Sequence, residues 1–201
     1  GNAGAGLYGE NTVYDMNILE GNNSRKYERG EHAGGIKFVS NYYPNGTAFG
    51  TPKGMVFRNN LVKNNDGFGI WFDGSNVENV RVDGNVVVGN SWDGVMVEIS
   101  HGTAKKPIRV RDNILVDNGH GKFGEEKMFD GGGLISGSQH VVFENNLIYN
   151  SPGGITERPV SAEYPVQLNV IRNNIFLNVS FPLNIKREQA GFVAGDTIAE
   201  R

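Results

Sequence analysis

Two short segments carry acids at a common spacing. Gly69-Ile70-Trp71-Phe72-Asp73 and Gly94-Val95-Met96-Val97-Glu98 superpose at a constant offset of 25 residues. As strands of consecutive repeats they place Asp73 and Glu98 at the same position, roughly 4.8 Å apart across a parallel pair. Carboxylates that close repel, so one of them keeps its proton to unusually high pH. A retaining glycosidase needs this pairing, an ionised nucleophile beside a protonated acid about 5–5.5 Å away; an inverting enzyme needs about 6.5–9.5 Å. With Ile70, Phe72, Val95 and Val97 turned inward, alternation sends Trp71 and Met96 outward beside the acids, as an apolar floor for a sugar ring. Two other readings stand beside this one. The acids are solvated on an open sheet, where stacked like charges destabilise, or they share a Ca²⁺ ion.

Extending the register brings basic residues to the same face. Lys37 falls level with Trp71, and Arg158 and Lys186 fall level with Asp73. These suit substrate carboxylates, or a Ca²⁺-assisted polysaccharide lyase in which a Lys or Arg abstracts a proton; the plainer reading is solvated charge. His101 follows the Glu98 strand and stands between a site role and a structural one. His32 and His120 lie in inserted segments within reach of a groove, Asp130 lies beside a triple glycine that is equally a flexible turn, and His140 precedes a buried-type strand as a structural residue. Four dispersed His without ligand spacing, and no Cys, speak against a zinc site. No G-x-S-x-G, P-loop or dinucleotide fingerprint occurs.

The elements that would hold these residues follow from a repeat. VYDMNILEGN, VFRNNLVKNN, VRVDGNVVVGN, VRDNILVDN, VFENNLIYN and VIRNNIFLN share one pattern, an apolar start, a polar pair ending in Asn, apolar residues, then a polar residue and Asn again. The central residues are Asn17, Asn60, Asn85, Asn113, Asn146 and Asn174. A second strand opened by glycine follows in most units (GGIKF, GIWFD, GVMVE, GLIS, GGIT), with FPLNIK in the last. The 201 residues include 29 Gly and 25 Asn, both poor inside helices, which excludes a helical bundle. Units of two or three short strands that cannot bury their own apolar side must stack on their neighbours. The expectation is therefore a single all-β domain over 1–201, a parallel β-helix of about six or more coils. Asn side chains would bond from coil to coil as in cross-β ladders. Insertions at 22–34, 41–54 and 119–132 adjoin the same second strand and would wall one side of it.

The charge balance, 19 basic against 22 acidic residues, carries no footprint for nucleic acid. No apolar run is long enough to span a membrane. The opening GNAGAGLYGE, without an initiator Met or signal pattern, reads as a mature chain or a fragment of a longer protein.

The repeat resembles the right-handed, pectate-lyase-like β-helices of polysaccharide-active enzymes, over about residues 13–186. That resemblance implies right-handedness, a polysaccharide or oligosaccharide partner and a secreted, extracellular location. The run IWFD, then EISHG, resembles family 120 glycoside hydrolases of the β-xylosidase type. Carried over, it makes Asp73 the nucleophile, Glu98 the acid/base and His101 a substrate-side hydrogen-bonding residue, with no cofactor. The readings left open are a retaining glycoside hydrolase, a Ca²⁺-dependent lyase, and a non-catalytic carbohydrate-binding or structural β-helix of a surface protein.

Overall fold

The computed structural model describes residues 9–30, 34–39, 52–74, 77–120, 131–160 and 163–185, with backbone strands also at Gly6–Leu7, Asn41–Tyr42, Ala48–Phe49, Glu188–Gln189, Phe192–Val193 and Ile198–Ala199. The chain is a right-handed parallel β-helix with three parallel sheets, and no helix occurs among the described residues. Each of six coils contributes one strand to each sheet in a fixed order. The second sheet takes Val13–Asp15 and its successors, the third sheet Ile18–Glu20 and its successors, and the site sheet Gly34–Val39, Phe68–Asp73, Val95–Glu98, Gly133–Ser136, Gly153–Arg158 and Phe181–Ile185.

The repeat motif encodes the corner between the second and third sheets. The residue before each central Asn has a left-handed backbone: Met16 at φ 57°, Asn59 at 54°, Gly84 at 63°, Asp112 at 56°, Asn145 at 56° and Asn173 at 54°. Gly, Asn and Asp tolerate that region best, which is why one of them precedes the ladder Asn in five of the six coils, Met16 being the exception. The Asn itself then bonds along the solenoid. Asn60 Nδ2 donates to Asn85 Oδ1 at 3.0 Å, Asn85 to Asn113 at 3.0 Å and Asn113 to Asn146 at 2.9 Å. The second proton of each amide goes to a carbonyl of an earlier coil, Phe57 for Asn85 and Val82 for Asn113. A fully satisfied polar ladder is thus buried without orphaned donors.

A second ladder, Asn22–Asn65–Asn90–Asn118, runs along the next corner. It stops there because the chain places Asn one residue early in the last two coils. Asn150 and Asn178 occupy the left-handed corner position, each at φ 51°, and Ser151 follows at the ladder level. Just beyond this corner the strand-opening glycines lie at van der Waals limit. A Cβ on Gly69 would sit 2.5 Å from the Gly94 carbonyl oxygen and 2.6 Å from a Val87 methyl.

Inside, the sheets meet in one aliphatic and aromatic core in which Phe38 and Phe72 stack at 4.7 Å. The alternation read from the sequence holds for Ile70, Phe72, Val95 and Val97, all fully buried. In the strand Gly133–Ser136 the phase differs by one from the glycine-opened pattern. Gly132 is the opener, facing Gly154, while Gly133 pairs with Val95 and cedes its inward volume to the Phe143 ring. Glu157 also faces inward, level with Ile135 and Ile185, and accepts a hydrogen bond from Asn169 Nδ2 at 2.9 Å.

Candidate functional site

Parallel pairing fixes the candidate residues in two outward rows of the site sheet. Trp71 pairs with Lys37 on one side and Met96 on the other, and Met96 pairs with Leu134. Two residues further along, Val39, Asp73, Glu98, Ser136 and Arg158 form the second row. The adjacency of Asp73 and Glu98 expected from the 25-residue offset is therefore present, as are the levels expected for Lys37 and Arg158. Lys186, Asp130 and His32 lie outside the described residues, as do most of the insertions at 41–54 and 119–132.

Each carboxylate receives a donor from the coil before it, two residues back along the strand. Lys37 Nζ lies 2.6 Å from Asp73 Oδ2. The Trp71 indole N–H donates to Glu98 Oε2 at 3.1 Å. Lys37 also lies over the Trp71 ring, 3.4 Å from its centroid, a cation–π contact that ties the two donors together. Arg158 Nη2 donates to Ser136 Oγ at 3.2 Å and brings a positive charge to the far end of the row.

This arrangement separates the two acids. Burial pushes Glu98 up to about 7, and the neighbouring Asp73 charge pushes the same way; the Trp71 hydrogen bond and the charges of Lys37 and Arg158 oppose the rise without cancelling it. Asp73 instead has an ammonium against it and a quarter of its side chain in solvent. Glu98 therefore holds its proton well above the usual carboxylate range.

Trp71 and Met96 point outward, as alternation requires, but they offer no open floor. Each is only 2% exposed, packed in a separate apolar cluster with Phe68, Trp92 and Leu134. Phe68 links the two indoles, its ring 4.9 Å from Trp71 and 4.8 Å from Trp92. The turn before Val95–Glu98 brings Trp92 into this cluster, edge-on to Phe68. Trp71 acts on the acids through its N–H.

His101 leaves the row altogether. Ile99 takes a left-handed backbone at φ 41° and turns the chain off the sheet. His101 then bridges to Gln139, with its ring 5.7 Å from Tyr164. Burial lowers its pKa, against a hydrogen bond with the Gly137 backbone and the charge of Glu163. His120 is exposed, its Nε2 2.6 Å from the Asn150 carbonyl oxygen, and His140 sits in a left-handed corner before the strand Val141–Glu144. The sequence reading missed the diagonal donors and Ser136. The diagonals were readable from the forward lean of side chains on parallel strands; Ser136 was not, because its level depends on the phase at Gly132.

The fold and this face define a β-helix solenoid protein with an adjacent Asp–Glu pair on one sheet. The chain belongs to the NosD family: residues 1–189 match the family model described as Periplasmic copper-binding protein (NosD). No curated protein and no solved structure matches it.

Proposed function

We propose that this chain is a periplasmic or otherwise exported carbohydrate-directed β-helix whose acid pair hydrolyses a glycosidic bond with retention. Glu98 protonates the leaving oxygen while Asp73 attacks the anomeric carbon; Glu98, now ionised, then takes a proton from water, which releases the sugar from Asp73. The observation that carries the reading is a carboxyl held protonated to about 7 one strand away from a second carboxylate. The likeness of IWFD…EISHG to family 120 glycoside hydrolases supports the same roles. The periplasmic description of the family supports the location, and no helix among the described residues is long and apolar enough to cross a membrane.

Copper, named in the family's description, finds no donor set among the described residues. Among the described residues no three His, Asp or Glu side chains gather to hold a metal ion. The chain has no Cys; among the described methionines Met55 lies in the main core, Met96 lies in the cluster with Trp71, and Met16 is exposed at a left-handed corner. The described residues do not fit a copper centre, and no step is routed through one. The Ca²⁺-dependent lyase finds equally little support, because Ca²⁺ takes 6–8 oxygen ligands.

A non-catalytic carbohydrate-binding or structural role is the second reading. It is favoured by the covered Trp71 face and by the Lys37 ammonium already seated on Asp73. The two readings separate on release of aryl leaving groups from a panel of aryl glycosides, xylosides included, with and without chelator. Chelator-resistant turnover lost in both Asp73→Asn and Glu98→Ala supports the hydrolase. Glycan binding that survives Asp73→Asn, with no turnover on glycosides or polymers, supports the second reading.

A further inference from the structure

The third sheet carries an outward face unlike the other two. Its first outward row runs Ile18, Leu61, Val86, Ile114, Leu147 and Ile175 in direct register, one residue per coil. A second row, two residues on, becomes apolar from the third coil with Val88, Val116, Tyr149 and Leu177. Ile18 is 68% exposed, Ile175 58% and Leu177 51%, although the four middle strands bury Val62, Val87, Leu115 and Ile148 completely and the first and last half-bury Leu19 and Phe176. The charges in these rows, Glu20 and Lys63, neutralise each other at 3.1 Å at one end.

We propose that this face is an interface between two copies of the chain, packed sheet on sheet. Three features select a second copy. The aliphatic rows extend about 24 Å along the solenoid at 4.8 Å per coil, long enough to meet their like at the roughly 10 Å separation of stacked sheets. With Ile18, Val86, Ile114, Tyr149, Ile175 and Leu177 each 37–68% exposed, these rows leave on the order of 600 Å² in solvent, at the upper end of the ~300–600 Å² of the largest patch on an ordinary monomer and approaching the ~800 Å² each partner gives a standard interface. A lipid surface fits poorly, because these rows hold no Trp and their one cation is already paired, whereas interfacial binders carry a basic fringe.

The test is the solution mass of the chain by sedimentation equilibrium over a concentration series. The wild type is expected as a dimer. Ile114→Lys, in the middle of the row, and Ile175→Lys, near its end, are expected as monomers with unchanged circular dichroism and melting midpoint, since Leu115 and Phe176 keep the inward positions. Arg81→Gln, on the second sheet, is expected to remain dimeric. In a chain without cysteine, Ile114→Cys is expected to form an intermolecular disulfide on mild oxidation. A wild type that stays monomeric, a dimer unaffected by either lysine, or a monomer that floats with phosphatidylcholine vesicles would each overturn the proposal.

Discussion

The outward rows of the second sheet and the site sheet use the same coils and fill them by opposite rules. On the second sheet the register-matched residues are Asp15, Arg58, Asp83, Arg111, Glu144 and Arg172, strictly alternating in charge. Arg58 reaches Asp15 at 2.7 Å, Arg111 reaches Asp83 at 3.1 Å and Arg172 reaches Glu144 at 2.6 Å. Directly opposed charges of opposite sign stabilise a sheet and like charges destabilise it, so this row follows what stability alone selects. The site row sets Asp73 against Glu98, the pairing the other row avoids at every step. The molecule accommodates it by burying Glu98 with its proton and setting Lys37 on Asp73. Like charges also meet at Arg81 and Arg109 on the second sheet, but those side chains are 45% and 38% exposed; what marks the candidate site among the described residues is a like-charged pair drawn into the protein, with Glu98 buried and a donor set on each acid.

Activity gives the largest expected effect that breaks or sharpens this contrast. Under the hydrolase reading, Glu98→Gln lowers turnover of a substrate with a poor leaving group by about 10²–10⁴-fold, the usual worth of a general acid. For the same reason wild-type kcat/KM falls above pH about 7, as Glu98 loses its proton. A profile flat through pH 7–9 would remove Glu98 from the acid role.

Stability comes next. Glu98 ionises near 4.5 in the unfolded chain and near 7 in the folded one. Below pH 4.5 both states hold the proton and the group costs nothing. From pH 4.5 to 7 the unfolded chain ionises first, and native stability falls. Glu98→Gln is therefore expected to be more stable than wild type by about 3 kcal/mol at pH 8, at roughly 1.4 kcal/mol per pKa unit, and no more stable at pH 4. Denaturant midpoints at the two pH values measure this.

Writing the site's rule into the second sheet should cost less. Arg111→Glu places a third acid between Asp83 and Glu144, and is expected to destabilise by about 1–2 kcal/mol at pH 8, easing in acid as the carboxylates protonate. A denaturant midpoint unmoved by that variant would mean that alternation is incidental. The smallest effect belongs to Arg58→Ala at the solvent-exposed end of the row, where the loss should vanish in high salt.

Most of the fold was legible because its signals are local. The residue before each ladder Asn must accept a left-handed backbone, and the Asn after it must carry an amide, so six coils could be counted from adjacent residues. The Asp73–Glu98 neighbourhood was legible because no insertion interrupts the 25-residue step. Past the 119–132 insertion the phase depended on which of three glycines opens the strand, and only the Phe143 ring occupying the space over Gly133 decides that. Asn150 and Asn178 misled in a similar way. The residue type was right, but a shift of one position turned a ladder amide into a corner.

The sequence by itself determined the coil, the central Asn ladder and the row in which the acids meet, because periodic backbone geometry repeats whatever a single unit prescribes. Tertiary structure decided that Trp71 is closed into a cluster with Phe68, Trp92, Met96 and Leu134, that Lys37 serves Asp73 rather than solvent, and that burial holds a proton on Glu98. Those outcomes depend on burial and charge summed over several coils, and no single repeat contains them.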